Sequence, residues 1–268
     1  MAKIPVLTEY NITGSGFKTP LTIALAADIH ERPDDRFIEL IKQAEPDIIA
    51  IAGDTLERYD GNKYGTPDKK RGIVRKVLFE IAYYVNRAAM IITRNKRLPI
   101  EKTYDLLKKF SEIAPVYMSV GNHEQLFLEE DFELFDRLGI TLLDNRDVTV
   151  NLKGRKVVIG GLSTFYDEEW LKAYAEKDGY KILLSHHPIC YDLFIKDTDI
   201  DLVLAGHNHG GQVRFFGKGI LSSGEGIPPK YDKGVFDNRL VVSAGCSNTV
   251  ALPRFNNPRE IVKIRLTD

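Results

Sequence analysis

Residues 21–30, LTIALAADIH, and residues 47–54, DIIAIAGD, decide how this chain folds. Each is a strand-length apolar run that ends at an aspartate. Apolar runs without polar alternation belong to strands covered on both faces. The same form recurs at 116–120, 156–160, 181–185 and 201–205. Helical periodicity over 35–44 and 100–113 separates the early runs, so the first half reads as β-α-β-α-β. The later runs lie closer together, and residues 212–266 read as meandering β with Gly and Pro turns. The predicted class is therefore α/β, a sandwich with mixed sheets rather than one parallel sheet.

At 268 residues, with 43% hydrophobic and 28% charged side chains, the chain is long enough and apolar enough for a large core. It reads as one domain over residues 1–268. A formal net charge of −1 gives no whole-molecule attraction to nucleic acid or anionic membrane. Two cysteines, Cys190 and Cys246, make no disulfide framework and read as buried thiols. There is no apolar signal region and no run of about 18 uncharged apolar residues, so the expectation is a cytoplasmic protein without signal peptide or transmembrane helix.

One segment differs in composition. Residues 58–102 carry twelve Lys or Arg against four acids. Within it Val74, Val77, Leu78, Ile81, Val85, Ala88 and Ile92 recur at helical spacing, with Arg75, Lys76 and Arg87 elsewhere on the circumference. This predicts a basic, helical insertion. Core packing with a solvated face is the plainer reading, and contact with a membrane surface or a lipid-linked substrate is the sharper one.

All six histidines fall in four clusters, each just past a predicted strand: Asp28-Ile29-His30, Gly121-Asn122-His123-Glu124, His186-His187-Pro188 and Gly206-His207-Asn208-His209. A fifth strand end delivers Gly53-Asp54. Ligands of open α/β sheets sit at the carboxyl ends of strands. Imidazole and carboxylate donors without thiolate suit a divalent transition metal, manganese first among iron, zinc and nickel. The donor number implies two ions. Two metals about 3.5–4 Å apart can hold a hydroxide between them for in-line attack at phosphorus, which makes phosphate ester hydrolysis the reaction class expected of such a site.

The ordered set DIH, GD, GNHE, HHP and GHNH resembles the calcineurin-like metallophosphoesterases, from about residue 21 to the C-terminus. The tail GHNHGGQVRF and SAGCSNTVALPRFNNPREIVKI resembles the branch with membrane-associated phosphoesterases and sugar-lipid pyrophosphatases. The resemblance implies a four-layer αββα sandwich with a binuclear centre. It assigns Asp28, His30 and His209 to one metal, Asn122, His186 and His207 to the other, and Asp54 to both. His123 is then the catalytic non-ligand that protonates the leaving group, with Glu124 as its candidate partner. The family's His-x-Pro pattern makes His186 the ligand and leaves His187 behind it or exposed. The role of Glu31 stays open.

The substrate is expected to be a phosphate mono- or diester, or a pyrophosphate. Arg214 and Arg254 are candidates for binding its oxyanions, and either could equally be an ordinary ion pair. Tyr166, Trp170 and Tyr191 line an entrance or, more plainly, pack in the core. Two rival readings remain. A non-catalytic scaffold of the same fold is disfavoured because every ligand position is filled. A nuclease lacks any stacking platform and would rely on the basic segment. No obligate protein partner is evident.

Overall fold

The computed structural model describes residues 4–58, 98–222, 225, 228–249 and 252–268. The first sheet has six strands in the order β1 (Val6–Ile12), β14 (Glu260–Leu266), β2 (Leu21–Ala26), β3 (Ile48–Ala52), β4 (Val116–Ser119) and β5 (Thr141–Leu143). Strands β2 to β5 run parallel, and β14 enters antiparallel to β2 and parallel to β1. The second sheet has the order β12 (Gly234–Phe236), β13 (Leu240–Val242), β9 (Leu202–Ala205), β8 (Tyr180–Ser185), β7 (Arg155–Leu162) and β6 (Arg146–Leu152). Its four central strands are parallel and its two edges antiparallel.

Three apolar layers hold the stack together. Between the sheets lie Leu21, Ile23, Leu25, Ile48, Ala50, Ile182, Leu184, Leu202 and Leu204. Behind the first sheet, Ala24, Ala26, Ile49 and Ile51 meet Phe37 and Ile41 of α1 (Arg36–Ala44), Leu107 and Phe110 of α2 (Ile100–Ser111), and Phe135 of α3 (Glu129–Leu138). Behind the second, Val158, Leu183 and Val203 meet Leu171 and Tyr174 of α4 (Glu168–Ala175) and the helical turn Tyr191–Ile195. Successive residues of a strand face opposite ways. Residues 21, 23 and 25 therefore fill one layer while 24 and 26 fill another, which is why these strands read as unbroken apolar runs. The four-layer sandwich expected from the sequence is the observed architecture.

The tail departs from a simple meander. After the small hairpin of β10 (Arg214–Phe215) and β11 (Lys218–Gly219), β12 and β13 join the second sheet, and β14 crosses to the first. Alternation shows that a segment is a strand but not which neighbour it takes. Tyr166 and Trp170 pack, partly buried, against the third layer, and Tyr191 is buried within it, so core packing holds for all three. Both cysteines are buried and free. The expected basic helix over residues 74–92 lies outside the described residues. Among the described residues no helix is long and apolar enough to cross a membrane.

Ile264 of β14 is fully buried between the sheets opposite Ile23. Ile264→Ala should lower unfolding free energy by about 2–5 kcal/mol, read by urea denaturation. A loss under about 0.5 kcal/mol would show that β14 is not an interior strand.

Candidate metal centre

Asp28, Asp54, Asn122, His186 and His207 follow β2, β3, β4, β8 and β9, and backbone hydrogen bonds pin these loops together. Asp28 N–H donates to Gly53 O at 3.1 Å, His30 N–H to Asp54 O at 2.8 Å, and Gly206 N–H to His186 O at 3.1 Å. The His207 N–H donates to both Asp28 carboxylate oxygens at 3.1 Å, joining the two sheets. Asp28, His30, Asp54, His207 and His209 all sit in the left-handed region, with φ between 47° and 69°. Non-glycine residues are uncommon there, and such strain concentrates at functional sites.

Glycine permits the closest approach. A Cβ on Gly121 would lie 2.2 Å from Asp54 Oδ1, and one on Gly53, whose φ is +75°, would lie 2.8 Å from both Gly121 Cα and His186 Nδ1. Bare backbone at both positions lets the β3 and β4 loops touch beneath the carboxylate.

Two buried sets of donors converge, Asp28, His30 and His209 in one and Asp54, His186 and His207 in the other, and a third group of His30, Glu57 and His123 is only partly buried. His186 Nδ1 donates to Ala52 O at 2.8 Å, which turns Nε2 towards Asp54 Oδ2 at 3.0 Å, Asn122 Oδ1 at 3.2 Å and His207 Nδ1 at 3.2 Å. Asp54 Oδ2 also stands 3.5 Å from His30 Nε2, while Oδ1 accepts the His123 N–H at 2.9 Å. Asp54 thus faces members of both sets. His30 Nε2 and His207 Nε2 are buried without a hydrogen-bond partner among the described residues. A buried polar nitrogen normally finds a partner. An orphaned His30 Nε2 beside the Asp28 and Asp54 carboxylates, with the Ala52 carbonyl fixing the tautomer of His186, is the kind of donor set a divalent transition ion takes.

The electrostatics divide the histidines. Burial would raise Asp54, yet the His186, His123 and His30 rings hold its carboxyl well below the usual range. Burial likewise opposes a charge on His30, but Asp28, Glu57 and Asp54 push it up to about 10. Against burial, Asp54 and Asp28 bring His186 up to about 9. In contrast, burial takes His209 down to about 3 and, with the neighbouring His187 and His186, takes His207 well below its ordinary value.

His123 stands at the mouth, its side chain 32% exposed, with Nε2 4.0 Å from Asp54 Oδ2. The carboxylate on its Nδ1 belongs to Glu57, at 3.0 Å, and the other Glu57 oxygen meets His30 Nδ1 at 2.9 Å. Glu57 is the functional residue that the sequence reading missed. Its one signal is an acid three positions after Asp54. Glu124, expected beside His123, instead lies beneath Asp54, where its carboxylate accepts N–H bonds from Asp54, Thr55, Leu56 and Gly121 at 2.7–3.0 Å. A buried carboxylate takes the nearest backbone donors, and here those are three N–H groups of the β3 loop and that of Gly121 after β4. Burial and Asp54 push Glu124 up to about 7 despite them. Glu31 accepts the Glu57 N–H at 3.0 Å and so braces that loop.

The remaining candidates lie around the cluster. His187 is buried, not exposed, with Nε2 3.2 Å from Thr164 Oγ1 and its ring 4.3 Å from that of His207. Arg214 bonds Gly210 O and Asp232 at 2.8 Å each, which is the ion-pair alternative. Arg254 directs Nη2 to Ser247 O and to His209 Nδ1 at 3.1 Å, while its Nε and Nη1 are buried without a hydrogen-bond partner among the described residues.

Two outcomes follow from this geometry. With both raised above pH 7.5, His30 and His186 should be protonated in the metal-free protein and would have to lose those protons to coordinate a cation. Manganese binding should then release about two protons per chain, fewer as pH rises towards 10, with affinity rising over the same range. Calorimetry in buffers of differing ionisation heat measures this, and release near zero contradicts it. Gly121→Ala should weaken manganese binding by about tenfold or more, by pushing Asp54 aside. Unchanged affinity would show that the glycine contact does not position the carboxylate.

The calcineurin-like phosphoesterase family matches residues 21–211. A Caenorhabditis elegans chain named as a metallophosphoesterase is 25% identical over 248 residues, 84% of this chain and 44% of its own length. The Escherichia coli phosphodiesterase YaeI is 28% identical over 134 residues, 48% of this chain and 47% of its own. This chain thus spans about half the length of these two relatives. The solved structure of TT1561 from Thermus thermophilus aligns with 70% of this chain and 82% of its own, at 14% identity and a TM-score of 0.43. With the family matching well over half of its length, the chain belongs to the calcineurin-like phosphoesterases.

Proposed function

We propose that the protein hydrolyses phosphoester or phosphoanhydride bonds using two divalent cations. Asp28, His30 and His209 hold one, Asn122, His186 and His207 hold the other, and Asp54 serves both. The observation that carries this reading is Asp54 Oδ2, which lies 3.0 Å from His186 Nε2 and 3.5 Å from His30 Nε2, one ring from each donor set. Cations bound there supply Lewis-acid polarisation of phosphoryl oxygens and a lowered pKa for attacking water.

The chain's own residues do the rest. The Asp54 carboxylate is fixed by the His123 N–H on one oxygen and kept ionised by the imidazoles on the other. Glu57 accepts the Nδ1–H of His123, which leaves Nε2 outside that bond and 4.0 Å from Asp54 Oδ2, on a ring that is partly exposed. A protonated His123 held in that way donates from Nε2 to the departing oxygen. Glu57 serves His30 identically, so one carboxylate aligns a ligand ring and the proton donor together. His187 and Arg254 pack behind His207 and His209 and keep those rings in place. The filled ligand set favours an enzyme over a scaffold.

Manganese-loaded protein should hydrolyse bis(4-nitrophenyl) phosphate or 4-nitrophenyl phosphate. His123→Ala should lower kcat by about 10²–10⁴-fold on an alkyl phosphate ester, and by much less on these nitrophenyl esters, with metal content retained. Asp54→Ala should lose both metal and turnover. Full turnover of the alkyl ester by either variant overturns the assignment.

A further inference from the structure

Glu57 can align two imidazoles only if its backbone is held, and the neighbouring residue is tied down unusually well. Arg58 forms an isolated parallel bridge with Glu124. Its N–H donates to His123 O at 2.8 Å, and its own carbonyl accepts from Gln125 N–H at 2.9 Å and Leu126 N–H at 3.2 Å. Adjacent residues of an extended stretch face opposite ways. Glu57 turns to the two histidines, and Arg58 turns away to α3. There Nε and Nη2 make a forked pair with Asp131, both bonds 2.7 Å. Asp131 is fully buried, and its Oδ1 also accepts the Tyr104 hydroxyl of α2 at 2.7 Å. The same hydroxyl lies 3.0 Å from Arg58 Nη2.

We propose that Arg58, Asp131 and Tyr104 form a positioning clamp for the proton donor: by fixing the Glu57–Arg58 backbone against the His123 loop, the clamp sets the aim of His123 Nε2. Nothing in the clamp touches the metal-ligating atoms. A forked guanidinium–carboxylate pair resists rotation in a way that a single contact does not. This inference rests on His123 being the proton donor. Its consequence is selective, because proton donation matters most when the departing oxygen is basic and little when it is already stable as an anion.

The test measures kcat for phosphate esters whose leaving groups run from 4-nitrophenol to an alkyl alcohol, at saturating manganese and with bound metal measured. Asp131→Asn should lower kcat about tenfold on the alkyl ester and less than about threefold on the nitrophenyl ester, with KM and metal content unchanged. Asp131 also accepts the Leu128 N–H at the start of α3, so its variant risks unfolding. Tyr104→Phe, which removes only the hydroxyl, should show the same leaving-group pattern at smaller amplitude. In a His123→Ala background neither substitution should lower kcat further.

An equal loss across all leaving groups, a loss that multiplies with that of His123→Ala, or a loss of metal would overturn the clamp while leaving the proposed hydrolase intact. If His123→Ala itself shows no dependence on the leaving group, the role of His123 fails, and the clamp fails with it.

Discussion

A carboxylate sealed inside a protein is stable only where neighbouring charge or hydrogen bonding replaces water, and Asp54 is such a group. It is almost fully buried, its Oδ1 is held by a backbone N–H, and its Oδ2 faces imidazoles that come from both sheets. That environment exists only when the two sheets close face to face with the carboxyl ends of β2, β3, β4, β8 and β9 on one edge. The apolar layer between the sheets brings this about, and Gly53 and Gly121 allow the last approach. Core packing and site chemistry are thus one constraint seen from two ends.

Charge inside the cluster is not shared evenly. The rings nearest carboxylates, His30 and His186, favour a proton in the metal-free protein, while His207 and His209 are held neutral by burial. The rings that favour a proton are themselves candidate ligands, so a cation binding there would compete with protons for the same nitrogens. At the rim, Glu57 links His30 to the half-exposed His123, so the innermost and outermost rings share one anchor.

Much of this was legible in the sequence because two independent signals coincide. Unbroken apolar runs mark the interior strands, and the residues that follow them mark the site, so the strand ends at Asp28, Asp54, Asn122, His186 and His207 could be read together. What escaped reading lacks such a signal. Strands β1 and β6 are edge strands with mixed polarity, and β5 has only three residues. Partner choice in the tail is set by tertiary packing, which sends β13 to β9 and β14 to β2. Glu57 and Arg58 look like an ordinary charged loop, because alternation over two residues cannot show that one faces the site and the other α3. Glu124 follows His123 directly, and adjacency suggested partnership. In the fold its carboxylate turns to the backbone of the Asp54 loop.

One buried carboxylate, Asp54, faces two donor sets drawn from two sheets. Diffraction from crystals grown with manganese, with data collected on either side of the manganese absorption edge, tests most directly whether it joins two cation sites. Two anomalous peaks should flank Asp54, one beside Asp28, His30 and His209 and the other beside Asn122, His186 and His207. A single peak, or peaks at which Asp54 is not a common ligand, would contradict this.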